Sequence, residues 1–203
     1  MKKLLVLLVV ILSVFLVSNI SAANLKGKFG ITAKGGVAIP FGDFSSSDKL
    51  AAKLGYGFGG TGEYFINNNI SIGAGLLYDV HNIKDVSGAK WKVLNYGAFF
   101  KYHFPTAGKV LPYVKAALGF YQPKLSASAG STEASATFST KIGIAGGGGI
   151  GYQVSPNIIL GGELMLHNAF TSSATWEGIK LDSDLQYVSI FAGVTFLVGG
   201  IKY

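Results

Sequence analysis

The stretch Val188-Ser189-Ile190-Phe191-Ala192-Gly193-Val194-Thr195-Phe196-Leu197-Val198 decides the fold. Val188, Ile190, Ala192, Val194, Phe196 and Val198 fall on one parity, while Ser189, Phe191, Gly193 and Thr195 fall on the other. Successive side chains of a strand point to opposite faces. One face of this segment is therefore apolar throughout and the other is mostly small or polar. Upstream the same alternation recurs over 29–40, 56–65, 70–81, 92–104, 111–121, 140–154 and 158–170, with the quoted strand spanning 186–198. Most of these segments supply the roughly 9–11 residues that a tilted strand needs to cross a bilayer. The pattern predicts an all-β fold: an eight-stranded antiparallel up-and-down transmembrane β-barrel with short periplasmic turns and four longer extracellular loops.

Composition agrees. Hydrophobic residues make up 49% of the 203-residue chain, charged residues only 13%, and there are 29 glycines. Soluble domains approach a quarter charged residues. The long apolar run Leu4 to Val17 follows Lys2 and Lys3 and precedes Ser21-Ala22-Ala23. A basic start, a short apolar core and small residues before a break describe a secretory signal. An uncleaved anchor is the alternative, but a spanning helix needs about 20 apolar residues. Residues 1–23 are thus expected to be a signal peptide cleaved after Ala23, and residues 24–203 the barrel. The net charge of +7 loses Lys2 and Lys3 with the signal. In an exported chain that balance suits anionic lipid head groups or lipopolysaccharide, not nucleic acid. The absence of cysteine excludes disulfides and a lipidated cysteine.

Parity sorts the two faces. The outward set includes Phe29, Ile31, Val37, Ile39, Phe58, Tyr64, Ile72, Leu76, Tyr78, Leu94, Tyr96, Phe100, Tyr102, Phe104, Val114, Leu118, Phe120, Ile142, Ile144, Ile150, Tyr152, Leu160, Leu164 and Leu166. The inward set collects the charges Lys34, Glu63, Asp79, Lys101, Lys115, Lys141 and Glu163, the histidines His81, His103 and His167, and many glycines. An eight-stranded barrel is only just wide enough for inward side chains. A lipocalin-like barrel would place the apolar parity inside and leave glycines covering nothing. Strand direction places Glu63, Lys101, Lys115 and Glu163 in the periplasmic half. Asp79, His81, Lys141 and His167 belong nearer the outside as an upper polar cluster. Because buried charges are costly unless paired, Glu63 and Glu163 are expected to interleave with Lys34, Lys101 and Lys115 as an ion-pair network that blocks the lumen. Water-solvated charges in a narrow channel are the alternative.

No catalytic, metal or cofactor site is expected. Asp79, His81 and His167 invite such a reading, but both histidines point inward and structural hydrogen bonding is the simpler role. The run Gly146-Gly147-Gly148-Gly149-Ile150-Gly151 lacks the strand–loop–helix setting and the Lys-Ser/Thr of a phosphate loop. Trp91 and Trp176 beside the long links read as interface anchors or a binding surface. The Ala/Ser/Thr-rich tract 126–140 reads as a hairpin extending beyond the membrane.

Gly30-x-x-x-x-Gly35-Gly36-x-x-x-Pro40-x-Gly42-Asp43-Phe44 resembles the first strand and loop of small outer-membrane barrels of the porin-family or opacity-protein type. Pro112-Tyr113-Val114-Lys115-Ala116-Ala117-Leu118-Gly119-Phe120-Tyr121 is similar to their fifth strand, and Gly147-Gly148-Gly149-Ile150-Gly151-Tyr152 with Ser155-Pro156-Asn157 to their sixth strand and turn. The resemblance implies insertion by the outer-membrane assembly machinery, which reads a final strand ending in an aromatic residue such as Tyr203 or Phe196. It leaves function open: a monomeric barrel with a structural or surface-interaction role, meeting an extracellular ligand through its loops, or a narrow OmpW-like conduit for small or hydrophobic solutes.

Overall fold

The computed structural model describes residues 24–86, 88–106, 108–129, 132–170, 174–176, 179–181 and 183–199. The expected signal, 1–23, and Tyr203 lie outside them. Among the described residues eleven strands run β1 Lys28–Phe41, β2 Ala52–Phe65, β3 Ile70–Ile83, β4 Ala89–His103, β5 Val110–Ala129, β6 Thr132–Thr137, β7 Lys141–Ser155, β8 Ile158–Ala169, β9 Ala174–Trp176, β10 Ile179–Leu181 and β11 Leu185–Gly199. Eight of these close into one antiparallel barrel in the order β1, β2, β3, β4, β5, β7, β8, β11, with β11 returning to β1. Closure gives every wall strand two hydrogen-bonded neighbours, the condition for β-structure in hydrocarbon.

Short turns at 66–69, 104–109 and 156–157 mark one end of the barrel, here the lower end. At the upper end the strands run further than the alternation indicated. The polar links expected at 82–91 and 122–139 are largely strand: only 84–88 separates β3 from β4, and β5 continues to Ala129 to pair with β6 from Lys124↔Thr137 to Ala129↔Thr132. Alternating Ala, Ser and Thr sustain a pleated ribbon even where nothing greasy is required. A second ribbon, β9 with β10, stands in the last link.

The wall is sided as parity requires. Leu118, Ile142 and Phe58 on the outside are 61%, 57% and 55% exposed. On the inside Glu63 and Asp79 are 2% and 0% exposed. All of the outward set is exposed except Tyr78 and Leu94, which are half-buried. Outward aromatics gather in two bands. Tyr102 meets Phe104 low on the wall, at 5.3 Å. Higher up, Phe58 pairs with Tyr78 at 5.7 Å and Tyr96 with Phe120 at 5.6 Å. Such bands sit at membrane–water interfaces.

The glycine run lies inside β7. A side chain at Gly147 would put its Cβ 2.0 Å from the Leu164 carbonyl oxygen, so the run lets β7 and β8 close up while bulky groups occupy the lumen.

Candidate functional site

Inside the barrel the charged residues form two knots rather than one interleaved chain. In the lower knot Lys101 donates to Glu63 at 3.0 Å, and Ser71 donates to the other Glu63 oxygen at 2.8 Å. His103 Nε2 lies 3.2 Å from the same hydroxyl. In the middle knot Glu163 receives Lys34 at 2.6 Å, Lys115 at 3.1 Å and the Tyr113 hydroxyl at 3.2 Å. Rings connect the knots. The Lys101 ammonium lies 4.8 Å from the Tyr113 ring, and the Lys115 ammonium 4.5 Å from that of Phe99. Lys34 reaches Glu163 across glycines: its partners in the ladders are Gly193 and Gly59, and Gly193 pairs onward with Gly161.

The upper polar residues are arranged differently. Tyr187 donates to Asp79 at 2.9 Å, and a Cβ at Gly57 would fall 2.0 Å from the other Asp79 oxygen. His167 lies between the Tyr121 hydroxyl at 3.1 Å and the Ser189 hydroxyl at 3.0 Å, stacked on Tyr187 with centroids 4.4 Å apart. His81 meets the Lys53 carbonyl at 3.2 Å and the edge of Phe44 at 4.8 Å. Lys141 is buried and pairs in register with Tyr121. Asp79 thus bonds a tyrosine rather than a histidine, and the Ser189–His167 contact is backed by a phenol rather than a carboxylate. Among the described residues no three His, Asp or Glu side chains converge to hold a metal.

Two apolar clusters of buried residues lie towards the ends, and neither was legible as such. The link expected over 41–55 as an extracellular loop is shortened to 42–51 by the longer strands, and it folds into the upper mouth. Its single 3-10 turn, Gly42–Phe44, buries Phe44 completely, and Leu50 follows it inward. These two pack with Trp91, Val93, Phe138, Leu185 and Tyr187. Trp91 is neither an interface anchor nor a surface group: it points inward, stands 5.6 Å from the Phe138 ring and donates its indole N–H to the Leu50 carbonyl at 2.8 Å. Its parity matches Lys101, which was the available signal. Trp176 pairs through its backbone with Ile179. Outside the wall Lys49 bonds Asp43 at 2.7 Å, and that hydrogen bond holds the Asp43 carboxyl below its usual range. At the lower end Leu25, Phe65, Leu111, Ile159 and Leu197 form the second cluster. Leu25 is held there by its own N–H to Asn68 Oδ1 at 3.0 Å and by the Gly27 N–H to the Phe65 carbonyl at 2.9 Å.

Two small cavities flank the middle knot. One cavity of about 60 Å³ lies below the Lys34–Glu163 pair and another of about 40 Å³ above it, and that pair borders both. One water needs roughly 10–15 Å³ measured this way, so each cavity has room for a few waters and no larger solute.

The chain matches a family model described as "Outer membrane protein beta-barrel domain" over residues 7–200. Comparison with curated protein sequences gives no match. Among solved structures it is similar to Neisserial surface protein A, with a TM-score of 0.62 at 20% identity, covering 84% of this chain and 99% of that one. It is also similar to the outer membrane protein OprG from Pseudomonas aeruginosa, with a TM-score of 0.59 at 12% identity over 88% of this chain and 99% of that one. A third likeness is to Ail, the attachment invasion locus protein of Yersinia pestis, in complex with the heparin analogue sucrose octasulfate. The TM-score there is 0.51 at 15% identity, over 85% of this chain and 99% of that one. At these identities the likenesses speak for the fold.

Proposed function

The chain belongs to the outer membrane protein beta-barrel domain family and resides in the outer membrane, and from that premise we propose that it works as a sealed barrel acting through its extracellular end, not as a pore or an enzyme. What supports this reading is an apolar cluster of buried residues towards each mouth with ion-paired knots between them, an arrangement that would close the lumen twice. On this reading residues 1–23 are removed after Ala23, the assembly machinery inserts the chain as a monomer, and the short turns face the periplasm. The upper end then faces outward, and it is basic on one side. Lys53, Lys84, Lys90, Lys92 and Lys124 all stand on β2 to β5 or their connection, with Lys92 and Lys124 directly opposed across the ladder. A polyanion suits such a surface, either lipopolysaccharide phosphate or a sulfated sugar such as the heparin analogue sucrose octasulfate in the Ail complex.

Conductance in planar bilayers tests the seal. The wild-type protein should show no steady nanosiemens-scale opening, and Lys101→Met with Lys115→Met should show none either, because both apolar closures remain. A stable open level in wild type sinks the reading. Changing Lys53, Lys90 and Lys124 to Gln should release the protein from a heparin column at clearly lower salt, since each removed phosphate- or sulfate-type contact lowers the salt dependence. Unchanged elution would remove the basic side from the binding surface.

One observation favours a second reading, a narrow OmpW-like conduit for small or hydrophobic solutes. The β1–β2 ladder stops at Ala38↔Gly55, although β1 continues to Phe41 and β2 begins at Ala52, with a register irregularity beside it. The wall is split there, next to the buried Phe44 and Leu50. A sideways path for an apolar molecule would pass this split without giving ionic conductance, so uptake of a hydrophobic solute by vesicles bearing the protein separates the two.

A further inference from the structure

Residues 24–27 precede β1 and lie outside the barrel ladder, yet they are folded against its lower end. Leu25 is fully buried there in a cluster with Phe65, Leu111, Ile159 and Leu197. Gly27 turns the chain with a φ of +74°, a conformation that other residues adopt only with strain. The short segment is a strap.

What holds the strap is the run Asn67-Asn68-Asn69 in the β2–β3 turn, whose three side chains divide the work. The Asn67 Oδ1 accepts the N–H groups of Asn69 and Ile70, both at 2.8 Å, and so fixes the turn itself. Asn69 donates its amide to the His103 carbonyl at 3.0 Å. Asn68 reaches the strap instead: its Oδ1 accepts the N–H groups of Leu25 and Lys26, both at 3.0 Å. On the other flank the Lys28 ammonium donates to the Pro156 carbonyl at 3.0 Å. The strap buries one large side chain, whereas the upper link buries two, Phe44 and Leu50. Segments that bury little apolar surface open at the least cost, so the lower end opens first.

Phe65, Leu111 and Ile159 are shared between two surroundings. They pack in the cluster of Leu25, and they also line the cavity of about 60 Å³ beside Glu63, Lys101 and His103. We propose that residues 24–27 are a hinged stopper. Leu25 seated in this apolar collar shuts the lower cavity, and release of the Asn68 clasp opens it to the periplasm while the upper mouth stays shut. The stopper rests on the sealed barrel and the orientation proposed above. Undocked, it turns the lower knot into the floor of a one-ended vestibule, which admits water and small solutes without a through path.

The chain has no cysteine, so a single introduced thiol reports access to each half of the lumen. Thr195→Cys puts one in the lining of the lower cavity. Ser189→Cys puts one above the middle knot, beside His167. The probe is methyl methanethiosulfonate, small and uncharged, added to folded protein in detergent and followed by intact mass. With the strap unaltered, the lower thiol should react slowly. Asn68→Ala should speed it roughly tenfold or more, because two hydrogen bonds are lost from the docked state alone. Leu25→Gln keeps the clasp but spoils the seat, and must give the same acceleration if Asn68→Ala does not fold. Asn68→Asp retains an acceptor and should stay slow. The upper thiol should stay slow throughout, since only the strap moves. The stopper is overturned by an Asn68→Asp variant as fast as Asn68→Ala, or by an upper thiol that accelerates in step with the lower one. Uniformly slow labelling also removes the stopper but leaves the sealed barrel standing. A lower thiol that reacts freely with the strap unaltered removes both.

Discussion

Glu163→Gln should lower the unfolding free energy by about 3–5 kcal/mol, the cost of breaking a buried ion pair from one side. The carboxylate is the acceptor for Lys34, Lys115 and the Tyr113 hydroxyl at once. Its amide replacement keeps the shape but leaves two enclosed ammonium groups without a counter-charge. Urea unfolding in lipid vesicles reads the effect. The companion variant is as informative. Replacing Lys34 and Lys115 with Met and Glu163 with Leu together should be neutral, or stabilising by about 1–4 kcal/mol, because the desolvation cost of all three charges disappears. If Glu163→Gln costs under about 1 kcal/mol, a value typical of water-exposed pairs, the lumen is wet and the sealed reading fails with it.

Leu118→Arg should cost about 2–4 kcal/mol, the figure for a cation on the lipid face near the bilayer midplane. Leu118 is 61% exposed, lies between the two aromatic bands and pairs with Ala98 and Ile144. In a water-soluble barrel the same change at so open a position would stay within about 0.5 kcal/mol. The experiment therefore asks what surrounds the wall. Leu118→Ala serves as the baseline, and a near-zero difference between the two would remove the hydrocarbon from the picture.

The wall itself was legible because a period of two leaves a trace at every residue. Even the sparse charges keep phase, so alternation alone assigns Glu63, Glu163 and the three lysines to the inside. It does not assign their partners. Which lysine meets which glutamate depends on the stagger between strands, and alternation carries no stagger. Lys34 finds Glu163 only because β11 lies between β1 and β8 and offers Gly193 there. Trp91 was missed by a single residue: the strand was expected to begin at Lys92, whereas β4 begins at Ala89 and Trp91 points in between Lys90 and Lys92. Phe44 was illegible for a stronger reason. It sits in a Gly-Asp-Phe-Ser stretch with every turn signal, and only a mouth built from distant strands makes it a closure.

The ladder from Lys28↔Gly199 to Phe41↔Gln186 joins the earliest-made strand to the latest-made one. Until β11 exists, β1 has one naked edge, and no growing chain can complete its ring on the ribosome. Closure must wait until β11 has been made, and until then the greasy parity of the earlier strands has no closed wall to display it. A premature stop anywhere before Leu185 leaves no smaller barrel behind, only an open sheet with two sticky margins.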